Sequence, residues 1–234
     1  MTPDPRPIAI AVFVKTPGLS PVKTRLARGI GTERAIALYE RSVDAVAAVV
    51  GEAAWRAGGA FAPYWAVAEP EGLDVARWRA FPRVAQGDGD LGARLGHVYA
   101  SLLADHAGVL LLGADCPQLG AALLGDAAAA LRGASDFVLG PARDGGFYLF
   151  GGRLKVAASD WRAVPYSSAD TAAVLTRTLA PHGSWSSLEL CCDLDEETDV
   201  AVVAKELRAA AAALLPAQRR LLAELEALGG GALP

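Results

Sequence analysis

The sequence predicts an α/β fold: one three-layer α/β/α domain on a mostly parallel sheet. Three observations carry this expectation. Charge-free apolar runs such as Ile8–Val14 (IAIAVFV) and Val109–Leu112 (VLLL) have strand length and suit strands buried on both faces. Segments with apolar residues at helical spacing lie between such runs. The two kinds alternate along the chain, the pattern of crossover units that place helices on both sides of a sheet. The 234 residues are read as one domain, 1–234, with a core over about 8–205 and a C-terminal helical extension over 206–234. A chain of this length buries about 70% of its unfolded surface and needs no disulfide or metal to fold.

Taken in order, Ile8–Val14 is the first strand, closed by Lys15 and a Pro17-Gly18 turn. Thr32–Val50 carries Ile36, Leu38, Tyr39, Val43, Val46 and Val50 at near-helical spacing, with Thr32 as a candidate N-cap. Phe61–Ala68 reads as a strand made imperfect by Pro63, and 69–90 as loop. Leu91–Leu103 reads as a helix, Val109–Leu112 as a strand, Leu119–Leu131 as a helix and Phe137–Leu139 as a strand. Phe147–Phe150 is a further strand, Thr171–Leu179 a helix and Leu188–Cys192 the last strand. Val200–Leu228 is a long Ala/Leu helix that Pro216 should kink or split. The closing GGGALP is expected to fray.

Composition excludes several classes. Hydrophobic residues make up 53% and charged residues 21%, which argues against disorder. Alanine inflates the first figure, and no apolar run reaches the ~18 residues of a membrane span. The polar, proline-rich Met1–Pro7 lacks a basic signal-peptide start. With 22 basic and 26 acidic residues there is no electrostatic footprint for nucleic acid. Cys116, Cys191 and Cys192 form no disulfide framework or C-x-x-C, and they read as buried small hydrophobes in a reducing, cytoplasmic setting.

Ligands of open α/β sheets bind outside the carboxyl ends of strands. After the first strand, Lys15, Lys23 and Arg25 fall within a Gly/Pro loop that feeds a helical segment, an arrangement suited to a polyphosphate. The competing reading is a solvated basic loop. After the central strand stands Gly113-Ala114-Asp115-Cys116-Pro117, where Asp115 is either a Mg²⁺ ligand or a helix cap. Gly140–Gly146 reads first as a turn. Asp193 and Asp195 lie two apart and face the same way on an extended segment; they bind a hard cation or cap the following helix. Gly87-Asp88-Gly89-Asp90-Leu91-Gly92 matches G-x-G-x-x-G, but a short preceding strand and two internal aspartates argue against an NAD-binding Rossmann oxidoreductase.

Five segments occur in a recognisable order. They are Lys15-Thr16-Pro17 with Val22-Lys23-Thr24-Arg25-Leu26; Gln86 with Gly89-Asp90-Leu91-Gly92-Ala93-Arg94; Leu112-Gly113-Ala114-Asp115-Cys116-Pro117; Gly140-Pro141 with Asp144-Gly145-Gly146-Phe147-Tyr148-Leu149; and Asp193-Leu194-Asp195. Over about residues 8–205 the sequence resembles the bacterial DUF2064 family, also called radical-SAM/selenodomain-associated transferase 1. It departs from that family at Pro165-Tyr166-Ser167-Ser168 and at Glu196-Glu197-Thr198. The resemblance implies a glycosyltransferase-A-like fold of the nucleotide-diphospho-sugar transferase superfamily. It extends to the phospholactate and phosphoenolpyruvate guanylyltransferases. It implies that Lys15, Lys23 and Arg25 hold phosphates and that Asp115, Asp193 and Asp195 hold Mg²⁺ or Mn²⁺. Thr16, Pro17, Gly89, Asp90, Arg94, Gly145 and Gly146 join the nucleotide-binding set. The Gly140–Gly146 loop would line the acceptor side.

The expected function is metal-dependent transfer from a nucleotide, with Lys23, Arg25 and Asp144 as the catalytic set. The early Lys/Arg loop favours nucleotidyl transfer from a nucleoside triphosphate to a small phosphorylated or carboxylate acceptor. The family label favours glycosyl transfer from a nucleotide sugar. A phosphate or carboxylate acceptor arrives ionised and needs no general base; a hydroxyl acceptor does, and Asp144 is the candidate. The partners expected are a nucleotide and a small acceptor, with no nucleic acid and no membrane. A non-catalytic nucleotide-binding or scaffold protein is the alternative, disfavoured because three candidate cations and three candidate aspartates occur together.

Overall fold

The computed structural model describes residues 4–230. The first strand, β1 (Ile8–Val14), shows why the fold forms. Ile8, Ile10, Val12 and Val14 pack into the core on one side of the sheet, while Ala9 and Ala11 pack into the core on the other. Both faces are covered, so the run is apolar throughout and does not alternate with polar residues. Two helices follow, α1 (Thr24–Ile30) and α2 (Thr32–Arg56). Gly31 is the cap residue between them and Thr32 is already the first helical residue, which corrects the N-cap expected there.

Strand β2 (Phe61–Val67) lies parallel to β1. Pro63 falls on the stretch of β2 that has only β1 beside it, since pairing with β3 (Arg83–Ala85) begins at Trp65. The segment expected as loop holds two 3₁₀ turns, Pro70–Asp74 and Ala76–Ala80, and buries Trp78 against Trp65. Next come α3 (Leu91–Leu103), β4 (Gly108–Gly113), α4 (Ala121–Arg132), the hairpin of β5 (Phe137–Pro141) and β6 (Phe147–Gly152), α5 (Ala158–Arg162) and α6 (Thr171–Leu179). The last strand is β7 (Trp185–Ser187), parallel to β5. Leu188–Cys192, expected as that strand, runs beside β5 without a ladder of its own: the Leu188 N–H donates to the Leu139 carbonyl at 2.8 Å, the Cys191 N–H donates to the Pro141 carbonyl at 3.1 Å, and Ala142 and Cys191 form an isolated bridge. Pro141 has no N–H to donate to this segment, and the ladder between β5 and β7 ends at Leu139 and Ser187.

The sheet order is β3-β2-β1-β4-β6-β5-β7, with β6 antiparallel to both neighbours and every other pairing parallel. Residues of α2 and α4 enter one core, and residues of α3, α5 and α6 the other, giving helix, sheet and helix layers. The long Ala/Leu segment is divided into α7 (Glu197–Ala209) and α8 (Pro216–Gly230), with Pro216 opening the second helix, where its missing N–H costs nothing. Those two pack with α1 and α2 around a third cluster that includes Leu26, Leu38, Leu207 and Leu221. Residues 231–234 of the GGGALP tail lie outside the described residues. Among the described residues no helix is long and apolar enough to cross a membrane.

Candidate active site

A cavity of about 470 Å³ opens where β1 and β4 end and β6 begins. Parallel β1 and β4 bring Lys15 and Asp115 to this end. Antiparallel β6 starts here, so the β5–β6 turn with Asp144 lies beside them. The segment after β7 then crosses over: the Leu194 N–H donates to the Asp115 carbonyl at 2.8 Å. Leu194 is fully buried, so the extended chain turns Asp193 and Asp195 together toward the cavity.

Lys23 sits at the centre of this arrangement. It precedes α1 with φ 48°, a left-handed conformation that costs a non-glycine residue about 1–2 kcal/mol. Its side chain is only 3% exposed. The ammonium lies 2.5 Å from Asp115 Oδ1, 2.5 Å from the Leu194 carbonyl and 3.8 Å from Asp195. Arg25 reaches the other oxygen of Asp195 at 2.5 Å and Glu196 at 3.6 Å. Lys15 has no carboxylate partner among the described residues; its backbone N–H and carbonyl are both held at 2.8 Å by the Tyr39 hydroxyl.

The carboxylates crowd one another. Burial pushes Asp193 up to about 6 against the hydrogen bond from Cys116, and the charges of Asp115 and Asp144 add to the rise. The Cys116 thiol donates to Asp193 Oδ1 at 2.7 Å. Asp195 is also raised, by burial first, while Lys23 and Arg25 oppose the shift. The competing cap reading belongs to their neighbours: Glu196 and Asp199 form the capping box of α7, and Gly120 caps α4. Asp115, Asp193 and Asp195 are thereby left to the cavity. Their hard oxygen donors are the type Mg²⁺ or Mn²⁺ takes. Among the described residues, however, no three His, Cys, Asp or Glu side chains form a ready metal cage, and Lys23 Nζ lies between Asp115 and Asp195.

The other expected residues divide. Gly146 lines the cavity beside Asp144, which accepts from the Gly146 N–H at 2.8 Å. Thr16 turns into the core: its N–H donates to Glu69 Oε2 at 2.9 Å and its hydroxyl accepts from Trp78 Nε1 at 3.1 Å. Pro17 bridges to Ser20 in the tight turn before Lys23. Asp90 caps α3 by accepting from the Ala93 N–H at 2.9 Å, and Arg94 holds the Gly89 carbonyl at 3.0 Å. The G-x-G-x-x-G segment is therefore the entry turn of α3. Gly145, at φ 87°, presses its backbone on Ala169. Sequence reasoning missed Tyr39, whose helical spacing reads as core, and the Cys116–Asp193 contact, since Cys116 reads as a small hydrophobe.

These features define the class: the fold is that of the glycosyltransferase-A-like nucleotide-diphospho-sugar transferases, with the pocket at the carboxyl ends of the parallel strands. The chain belongs to the family described as "Uncharacterized protein conserved in bacteria (DUF2064)", which it matches over residues 45–168. That stretch contains Asp115 and Asp144 but neither the Lys15–Arg25 loop nor Asp193-Leu194-Asp195. No curated protein matches the chain by sequence. Among solved structures, a protein of Desulfovibrio desulfuricans G20 named for the nucleotide-diphospho-sugar transferases is 23% identical with a TM-score of 0.71, covering 91% of this chain and 97% of its own. The 4-diphosphocytidyl-2C-methyl-D-erythritol synthase of Anaerococcus prevotii DSM 20548 is 12% identical with a TM-score of 0.54, covering 87% and 96%. Rv0371c of Mycobacterium tuberculosis H37Rv is 14% identical with a TM-score of 0.51, covering 86% and 98%.

Proposed function

We propose that the chain is a metal-assisted transferase that moves a group from a nucleotide donor to a small-molecule acceptor. One observation carries this reading: Lys15, Lys23 and Arg25 meet Asp115, Asp193 and Asp195 in one cavity at the strand ends. The names of the D. desulfuricans and A. prevotii proteins agree with it. Asp115, Asp193 and Asp195 would hold Mg²⁺ or Mn²⁺ together with donor phosphates, as hard cations with one or two carboxylates do. The bound cation would supply neutralisation of the charge that builds on the leaving phosphate.

The chain's own groups do the rest. Lys15, without a carboxylate partner among the described residues, would face the donor phosphates. Lys23 and Arg25 hold Asp115 and Asp195 in place and stabilise negative charge as the donor bond breaks. Pro17, Gly145 and Gly146 shape the loops that approach the ligand, while Gly89, Asp90 and Arg94 brace the start of α3 beside the cavity. Thr16 anchors the phosphate loop to the core.

A nucleoside diphosphate sugar fits the charge of the cavity best. Four carboxylates and three cations line it, and two of the cations are engaged in ion pairs. That favours glycosyl transfer. The placement of all three cations on one segment favours a second reading, nucleotidyl transfer from a nucleoside triphosphate, if Lys23 turns from the carboxylates to the donor. The test is thermal stability against nucleoside triphosphates and nucleotide sugars, with and without Mg²⁺ or Mn²⁺. A ligand at 100 times its Kd adds about 2.7 kcal/mol. A metal-dependent shift confined to nucleotide sugars is the expected result. A shift confined to a triphosphate would select nucleotidyl transfer, and no shift with any nucleotide would overturn the proposal.

A further inference from the structure

The cavity has two walls of different chemistry. The segment after β1 supplies Lys15, Lys23 and Arg25. The opposite wall joins the β5–β6 turn to residues 165–171, and no cation lines it. Its two parts are fastened together: the Ala172 N–H donates to the Gly145 carbonyl at 2.9 Å, and Gly145 lies against Ala169 where no side chain would fit.

This second wall presents one carboxylate, Asp144, the rings of Phe147 and Tyr166 and the hydroxyl of Ser167, while the Thr171 hydroxyl is spent on the Pro165 and Ser168 carbonyls. The bond from the Gly146 N–H fixes Asp144 Oδ1, and Oδ2 has no partner among the described residues. The Tyr166 hydroxyl is buried, so the ring and not the hydroxyl is what this wall offers a ligand. Ser167 is exposed and held at φ 59°.

We infer that the acceptor is an uncharged polyhydroxyl molecule, a sugar or sugar alcohol, seated on this wall. The inference rests on the reading of the chain as a nucleotide-dependent transferase. A phosphorylated or carboxylate acceptor would bring a second anion beside Asp144 and the donor with only Lys15 unpaired to receive it. A neutral polyol meets no such repulsion. Its carbon-bound hydrogens lie on the faces of Phe147 and Tyr166. Its hydroxyls pair with Ser167 Oγ and Asp144. In glycosyl transfer the acceptor oxygen forms the bond to the anomeric carbon. The bond from that carbon to the donor phosphate oxygen breaks, and its electron pair leaves with the nucleoside diphosphate. The acceptor proton passes to Asp144 Oδ2 and then to water.

The test uses the full chain with Mn²⁺ and the nucleotide sugar that stabilises it most. Release of nucleoside diphosphate is measured with matched acceptors: glycerol and glycerol 3-phosphate, glucose and glucose 6-phosphate. A neutral member should raise release at least about tenfold over hydrolysis, and its phosphorylated partner should give less than about a tenth of that gain. Ser167→Gly removes an exposed hydroxyl of this wall at a position, φ 59°, that glycine adopts freely. It should raise the acceptor KM about five- to tenfold while leaving the donor KM and the urea midpoint unchanged. Equal or better use of the phosphorylated members, no stimulation by either neutral compound, or an unchanged acceptor KM in Ser167→Gly would each overturn the inference. Those results leave nucleotide binding standing, whereas absence of nucleotide binding defeats the broader reading itself.

Discussion

Lys23→Met isolates the charge at the centre of the cavity. Methionine keeps much of the side-chain length and the left-handed backbone, so the two chains differ chiefly in the ammonium. That group contacts Asp115 and the Leu194 carbonyl at 2.5 Å each. Removing one partner of a fully buried ion pair costs about 3–5 kcal/mol. Here Lys23 is 3% exposed, but Asp115 is 46% and Asp195 28% exposed, so water can take up part of the carboxylates' solvation. Arg25 also continues to pair with Asp195. The expected loss is therefore about 2 kcal/mol, or about 4–8 °C in Tm for a chain of this size. The second arm is metal. Without the ammonium, Asp115 and Asp195 repel each other and hold a cation more tightly, so millimolar Mn²⁺ should recover at least about half of the loss and stabilise the variant more than the wild type. Urea unfolding with and without Mn²⁺ measures both. A loss below about 0.5 kcal/mol, or an equal Mn²⁺ effect on both proteins, would refute the role of Lys23 as the cation shared by these carboxylates.

Three further outcomes follow from individual contacts. Gly145→Ala adds a side chain at φ 87° directly against the Ala169 backbone, so it should cost more than about 2 kcal/mol in urea unfolding, and a cost near zero would contradict the fastening of the two loops. The three cysteines are buried, with Cys116 pushed well up by burial and Cys192 pushed up to about 12, also by burial first. Thiol titration at pH 8 should therefore find none reactive in the native protein and three in denaturant, and one fast native thiol would count against this. Asp136 is held below the usual carboxylate range by the Ser184 N–H against the cost of burial, with the Ser184 hydroxyl and Arg153 helping. A depressed folded value contributes stability above the unfolded value of about 3.9 and loses it as pH falls through the folded value. Asp136→Asn should thus be less stable than wild type at pH 7, with the gap closing below about pH 4; a constant gap would assign the loss to packing.

Much of the fold can be read from the chain because the strongest signals are local. The continuous apolar run of β1 needs both faces covered, and the cores on its two sides provide this. The helices at Leu91–Leu103 and Thr171–Leu179 begin and end at the residues expected. Where a distant partner decides, the sequence is silent. Leu188–Cys192 has the composition of a strand, yet its pairing depends on Pro141, on the neighbouring strand and nearly fifty residues away in sequence, which cannot donate a hydrogen bond. Trp78 is buried by a 3₁₀ turn in a segment that reads as loop, because its partner Trp65 lies on another element.

The same division runs through the site. That Lys15 and Asp115 reach one cavity follows from their places just after parallel strands, whereas Asp193 and Asp195 are brought to it by the bond from the Leu194 N–H to the Asp115 carbonyl. What order cannot show is how the charges pair. In the sequence, three cations in eleven residues count toward a triphosphate. In the fold, Lys23 is buried between Asp115 and Asp195, and Arg25 is bound to Asp195, so the positive charge left for a ligand is that of Lys15. The pairing arises because the Leu194 N–H joins the Asp115 carbonyl, a contact between residues nearly eighty apart that draws both aspartates onto the lysine. Charge counted along the chain thus overstates the charge available to a ligand, and this difference is the ground on which a diphosphate sugar and a neutral acceptor are proposed over a triphosphate and an anionic one.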